Sequence, residues 1–135
     1  MLTYLIDDDQ ISLFVTEQVL RVEGLMPDVR SFLSAELALA YLLPRLSTAP
    51  PQLILLDLNM AKMDGWGFLA ALAPHQAALR NCSIYLLTSS LAPADTCRAK
   101  EYSYLVDIIH KPMDEYDVKV IRAAMRSTAD AALSQ

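Results

Sequence analysis

Leu53 to Leu56 are four consecutive aliphatic residues, with Pro50 and Pro51 just ahead of them and Asp57 directly after. A run that is apolar at every position has no face to offer to water. It reads as a short strand buried on both sides, the kind that lies inside a parallel sheet covered by helices on both faces. Nothing in such a strand calls for a carboxylate at its end, whereas ligands of open α/β sheets gather just beyond the carboxyl ends of the strands. Asp57 is therefore the first candidate for function.

The rest of the chain repeats the pattern. Leu2 to Ile6 is an apolar strand running into Asp7, Asp8 and Asp9. Ile11, Phe14, Val15, Val19 and Val22 follow at helical spacing, with Asp9 placed to cap the helix and Gly24 to end it. Asp28 to Phe32 is a weaker strand, followed by Ser34 as a cap and an Ala/Leu-rich helix that Pro44 stops. After the central strand, Gly65 to Leu72 reads as a helix carrying Trp66 and Phe68 as packing residues, with Asp64 as turn chemistry before it. Ser83 to Leu87 is a strand finishing on Thr88, Ser89 and Ser90, and Pro93 with Asp95 suits a helix start. Leu105 to Ile109 is the last strand, leading into His110, Lys111 and Pro112. The closing helix has Asp114, Glu115 and Asp117 in its first turn, Lys119, Arg122 and Arg126 later, and Val118, Ile121 and Met125 as its apolar stripe. Five strands alternating with five helices predict an α/β fold: a parallel sheet with right-handed crossovers and helices on both faces, a three-layer αβα arrangement, for which the doubly wound order 2-1-3-4-5 of flavodoxin-like sheets is the expectation adopted.

At 135 residues the chain is expected to be one domain, 1–135, with no output domain and a core that needs no disulfide or structural metal. Its net charge of −5 argues against nucleic acid as a direct partner, since phosphate backbones call for a basic face. No apolar run approaches the ~18 residues of a membrane span, so a cytoplasmic protein is expected. Cys82 and Cys97 lack metal or redox spacing and read as ordinary thiols. His75 and His110 each stand alone and read as surface residues.

In the 2-1-3-4-5 order the first and third strands are neighbours, which brings Asp7 and Asp8 beside Asp57. Two carboxylates ~4 Å apart repel by roughly 1 kcal/mol in water and about 4 kcal/mol at an effective dielectric of 20. Such a crowd of oxygen ligands invites a cation, and Mg²⁺ suits a site with few protein ligands that shares a phosphate. Thr88 can donate a hydrogen bond to a phosphoryl group and Lys111 can hold a point charge on it. Asp57 is then left as the in-line nucleophile.

These residues give the chain a resemblance to the receiver domains of response regulators, of the stand-alone, CheY-like type. The motifs are the acidic pair after the first strand, Asp-Leu-Asn-Met-x-x-Met-Asp-Gly from Asp57 to Gly65, Thr-Ser at Thr88 and Lys-Pro at Lys111, and the likeness runs from Leu2 to about Ala129. The resemblance implies that Asp57 is the phosphoacceptor and that Mg²⁺ is held by Asp8, Asp57 and the backbone carbonyl of Asn59, with Asp7 acting through water. It also implies Thr88 as the switch hydroxyl, Lys111 as the phosphate-pairing lysine with a cis peptide before Pro112, and Asn59 and Ser90 as positions that set how fast the phosphoryl group is lost.

Two positions depart from the family pattern. Ala61 stands where receivers commonly carry proline, which is expected to loosen the loop. Ile108 stands where an aromatic usually rotates on activation, so the output face, formed by the fourth helix, fifth strand and fifth helix, is expected to switch by another route. Tyr102 and Tyr104 precede the last strand and are candidates for partner contact. The expected role is a signalling phosphoacceptor and not an enzyme in its own right. Its implied partners are a sensor histidine kinase or phosphotransfer protein upstream, and an effector protein or a second copy of the chain downstream. Two other classes use similar residues. A pseudo-receiver would bind partners without phosphorylation. A Mg²⁺-dependent aspartyl-phosphate phosphatase would need a carboxylate two residues after its nucleophile, where this chain has Asn59.

Overall fold

A computed structural model describes residues 2–25 and 28–133, with side chains through residue 125. The chain alternates strand and helix throughout: β1 (Leu2–Ile6), α1 (Gln10–Val22), β2 (Asp28–Phe32), α2 (Ala35–Leu42), β3 (Leu53–Asp57), α3 (Gly65–Leu72), β4 (Ser83–Thr88), α4 (Pro93–Ala99), β5 (Leu105–His110) and α5 (Glu115–Leu133). Short 3₁₀ turns follow α2 and α3 at Leu43–Arg45 and Ala73–Leu79, where Pro44 and Pro74 prevent the α-helices from continuing. The strands pair in the order β2-β1-β3-β4-β5, and each pairing is parallel. This is the predicted flavodoxin-like sheet.

The central strand is buried at all five positions, as its composition requires. Alternate residues feed two separate cores. Tyr4, Ile6, Ile54, Leu56, Ile84 and Leu86 pack with α2 and α3 residues such as Ala38, Leu42, Phe68 and Leu69 on one side. Leu5, Leu53, Leu55, Tyr85 and Leu87 meet Leu20 of α1 and Val118 and Ile121 of α5 on the other. A fully buried aliphatic side chain contributes ~1.5–3 kcal/mol, so the two clusters fix the strands in register and with them the level of every strand tip.

The caps form where the sequence places them. Asp9 accepts hydrogen bonds from the Ile11 and Ser12 amides, Ser34 from the Leu37 amide and Asp64 from the Gly67 amide. Gly24 stands at φ 70° in the turn after α1, a conformation that favours glycine. The rotation of α1 differs from the expectation at four of the five stripe positions: Val19 packs against the second core, but Ile11, Phe14, Val15 and Val22 are exposed, and the helix turns Thr16 and Leu20 inward. Its cap at Asp9, rooted next to the buried tip of β1, and the seat of Leu20 in the second core set that rotation. In α5 the stripe of Val118, Ile121 and Met125 does face the core; the side chain of Arg126 lies outside the described residues. β5 carries an extra residue, with Ile84 opposite Leu105 and Tyr85 opposite Asp107, so Val106 bulges outward and is exposed. Among the described residues no helix is long and apolar enough to cross a membrane.

Candidate functional site

The carboxyl ends of β1, β3, β4 and β5 meet at one edge of the sheet. Asp57 is the last residue of β3, Thr88 the last of β4, and Asp7 and Lys111 directly follow β1 and β5. Backbone hydrogen bonds hold these tips in place: the Asp7 amide donates to the Phe32 carbonyl at 3.0 Å, Leu58 to Leu87 at 2.8 Å and Lys111 to Thr88 at 2.8 Å. The Lys111–Pro112 peptide is cis, as the resemblance implied. Gly65 closes the loop after β3, donating to the Leu58 carbonyl at 2.9 Å. A Cβ there would lie 3.0 Å from the Leu58 Cα and 3.2 Å from the Asp57 carbonyl oxygen, so only glycine lets the loop fold back so closely.

The three predicted acids come together. One carboxylate oxygen from each of Asp7, Asp8 and Asp57 lies within 4.8 Å of the others. Asp7 and Asp57 are buried, while Asp8 is exposed at the mouth. The Lys111 Nζ reaches into the cluster, 2.8 Å from Asp7 Oδ2 and 3.2 Å from Asp57 Oδ1. Three carboxylates against one ammonium leave an excess of two negative charges, an oxygen donor set suited to one small hard dication.

The charges perturb one another strongly. Burial and the neighbouring Asp7 carboxylate push the Asp57 carboxyl up to about 6, with Lys111 offsetting only part of the rise. Burial also acts on Asp7, but hydrogen bonds from Lys111, Ser12 and the Asp9 amide outweigh it and hold that carboxyl below its ordinary value. Lys111 is disfavoured by burial and raised by its hydrogen bond to Asp7 and the charges of Asp7 and Asp57, with a net upward shift. Of the two buried acids, Asp57 is thus the one whose charge is less well compensated.

Thr88 is fully buried. Its hydroxyl accepts from Asn59 Nδ2 at 3.2 Å and from the Ser90 amide at 3.1 Å, and lies 3.3 Å from the Ser90 carbonyl, to which it can donate. Asn59, Thr88 and Ser90 therefore form one hydrogen-bonded unit, which joins the loops after β3 and β4. The Ala61 amide, which a proline would lack, donates to Asp8 Oδ2 at 3.2 Å and ties the loop across to the end of β1. Neither the Ser12 hydroxyl beside Asp7 nor the amides of Ala61 and Ser90 could be picked out beforehand, because backbone donors and isolated serines carry no distinguishing pattern in a sequence.

The remaining candidates fall outside the pocket. His75 and His110 are exposed and Cys82 and Cys97 are free thiols, with burial pushing Cys82 up to about 12. Trp66 and Phe68 are core residues. Tyr102 and Tyr104 turn inward: Tyr102 stacks on Trp66 with centroids 5.9 Å apart, and the Tyr104 hydroxyl donates to the Leu69 carbonyl. Ile108 is half-buried and packs against the same core as these tyrosines.

Known proteins place this arrangement. No curated protein matches the chain by sequence. Among solved structures, a two-component response regulator from Cytophaga hutchinsonii superposes with a TM-score of 0.86 at 24% identity, covering 93% of this chain and 96% of that one. A response regulator receiver protein from Dyadobacter fermentans gives 0.76 at 25% identity, with 95% and 97% covered. A CheY-like receiver domain protein from Methanospirillum hungatei shares the fold at 19% identity, with a TM-score of 0.73 over 96% and 97%. The family model for the response regulator receiver domain matches residues 3–123. With that match running from β1 into α5 and the acidic pocket at the strand tips, the chain belongs to the response regulator receiver domains, the signal-receiving family of two-component systems.

Proposed function

We propose that this chain is a response regulator receiver that accepts a phosphoryl group on Asp57 from the phosphohistidine of a sensor kinase or phosphotransfer protein. The observation that carries the reading is the placement of a buried, under-compensated Asp57 carboxylate beside Asp7 and Asp8 and 3.2 Å from Lys111 Nζ. In the transfer an Asp57 oxygen attacks phosphorus, the P–N bond to histidine breaks as the P–O bond forms, and the histidine keeps the electron pair and takes up a proton. The chain contributes chiefly position and charge, which is most of what phosphoryl transfer requires.

The residues present fit a divalent cation. Asp8, Asp57 and the Asn59 carbonyl would hold Mg²⁺, with Asp7 linked through water, and the ion would supply charge neutralisation for the incoming phosphoryl oxygens. Lys111 is already within hydrogen-bonding distance of Asp57 and passes its ammonium from the carboxylates to the phosphoryl group. Thr88 gives up its contacts with Asn59 and Ser90 to donate to a phosphoryl oxygen, which frees the loops after β3 and β4. The population then shifts toward an arrangement of α4, β5 and α5 that a partner protein, or a second copy of the chain, binds better. α4 suits this role, since none of its residues is buried. With Ile108 in place of the usual aromatic, the loop change reaches the output face through Thr88 and Ser90.

Ligand-linked stabilisation tests the reading. Mg²⁺ with beryllofluoride, a phosphoryl mimic, is expected to raise Tm by more than Mg²⁺ alone, with about 2.7 kcal/mol of stabilisation at a hundredfold excess over Kd. Asp57→Asn is expected to abolish the beryllofluoride increment. Equal increments in the two proteins would sink the proposal.

A further inference from the structure

The loop that follows β3 is held by the Asn59–Thr88 side-chain hydrogen bond described above and by three bonds from its backbone amides. Two of the three join it to its immediate surroundings, Leu58 to Leu87 and Gly65 to Leu58. The third is longer in reach: the Ala61 amide donates to Asp8 Oδ2 at 3.2 Å, across 53 positions of sequence. Asp8 is exposed, and an exposed carboxylate would otherwise turn freely in water. Ala61 lies two residues beyond Asn59, so this one hydrogen bond joins the Asp8 carboxylate to the stretch of backbone that carries the Asn59 carbonyl. Directly after it the chain turns at Lys62, which stands at φ 64°, a left-handed conformation uncommon for a residue with a side chain.

We infer that the Ala61 amide is a positioning group for the divalent cation. The inference rests on the metal reading given above. An ionised carboxylate has about four acceptor positions, so the amide on Oδ2 leaves Oδ1 free for an ion while fixing the plane of the group. The same bond holds the loop so that the Asn59 carbonyl and the Asp8 carboxylate stand ready together, and the ion need not organise them on arrival. Outer hydrogen-bond partners of this kind cost about 10- to 100-fold in metal affinity when lost. A single neutral amide at an exposed ligand belongs at the lower end. Only a residue with an N–H can serve, and proline cannot.

The test uses the full chain and Mg²⁺ alone, titrated calorimetrically. Ala61→Pro is expected to bind Mg²⁺ about tenfold more weakly, while Ala61→Ser, which keeps the amide, binds as the unchanged chain does. Ala61→Pro binding as tightly as the unchanged chain, or more tightly, overturns the inference, since a tighter site would mean that the amide competes with the ion. A second readout needs neither metal nor the proline variant: in the metal-free chain the Ala61 amide is expected to exchange with solvent more slowly than in Asp8→Ala, and equal exchange in the two overturns the inference. A chain that binds no Mg²⁺ at all overturns the metal reading itself, and this inference with it. Loss of the Ala61→Pro effect alone leaves that reading standing.

Discussion

Asp57 is held where ionisation is costly, and that cost has a sign that can be measured. With its carboxyl pushed up to about 6 against an unfolded value near 3.9, the folded state holds a proton that the unfolded state has released across the window between them. Stability from this group is therefore present below about pH 4 and lost as pH rises toward 6. Replacing Asp57 by Asn removes the penalty. In metal-free protein Asp57→Asn is expected to be more stable at pH 7 by about 1–2 kcal/mol, less than the full shift would give because Lys111 loses a partner. The gain is expected to vanish by about pH 4. Urea unfolding at the two pH values checks this, and a variant less stable than the parent at pH 7 would contradict the reading of the pocket. Asp7 has the opposite sign: its lowered value means a contribution present at neutral pH and lost as pH falls through its folded value.

Among the elements, α1 shows most clearly what a sequence does and does not disclose. Its existence and both ends were legible, because Asp9 and Gly24 are chemical signals for a cap and a left-handed turn. Its inward face was not legible. Apolar residues occur all round the helix, and Ile11, Phe14, Val15, Val19 and Val22 at helical spacing suggested one stripe, while the sheet selects a face that shares only Val19 with it among the described residues and contains Thr16 and Leu20. Periodicity identifies a helix, but which side faces the sheet depends on partners far away in sequence. Leu20→Ala is accordingly expected to cost about 2–5 kcal/mol, and Val22→Ala, on the exposed side, less than about 0.5 kcal/mol, both from the midpoints of urea unfolding. Similar losses at the two positions would mean that the helix is rotated from the orientation described. The loop after β3 makes the same point: the value of Ala61 as a donor became visible only with Asp8 beside it.

At the scale of the whole molecule, the meeting of four strand tips followed from apolar runs that end on Asp, Thr and Lys once the doubly wound order 2-1-3-4-5, which the sheet has, was adopted. The pocket was legible for the same reason, through Asp7, Asp8, Asp57, Thr88 and Lys111. What remained hidden was the way these residues engage one another before any phosphoryl group arrives: Lys111 shared between Asp7 and Asp57, and Thr88 occupied by Asn59 and Ser90. Those bonds describe a resting state that phosphorylation would have to exchange for another. The central claim is that Asp57 takes the phosphoryl group, and intact mass after incubation with a small-molecule phosphodonor and Mg²⁺ tests it most directly. The account predicts an adduct of about 80 Da in the unchanged chain and none in Asp57→Asn; no adduct in the former, or one that persists in the latter, would contradict it.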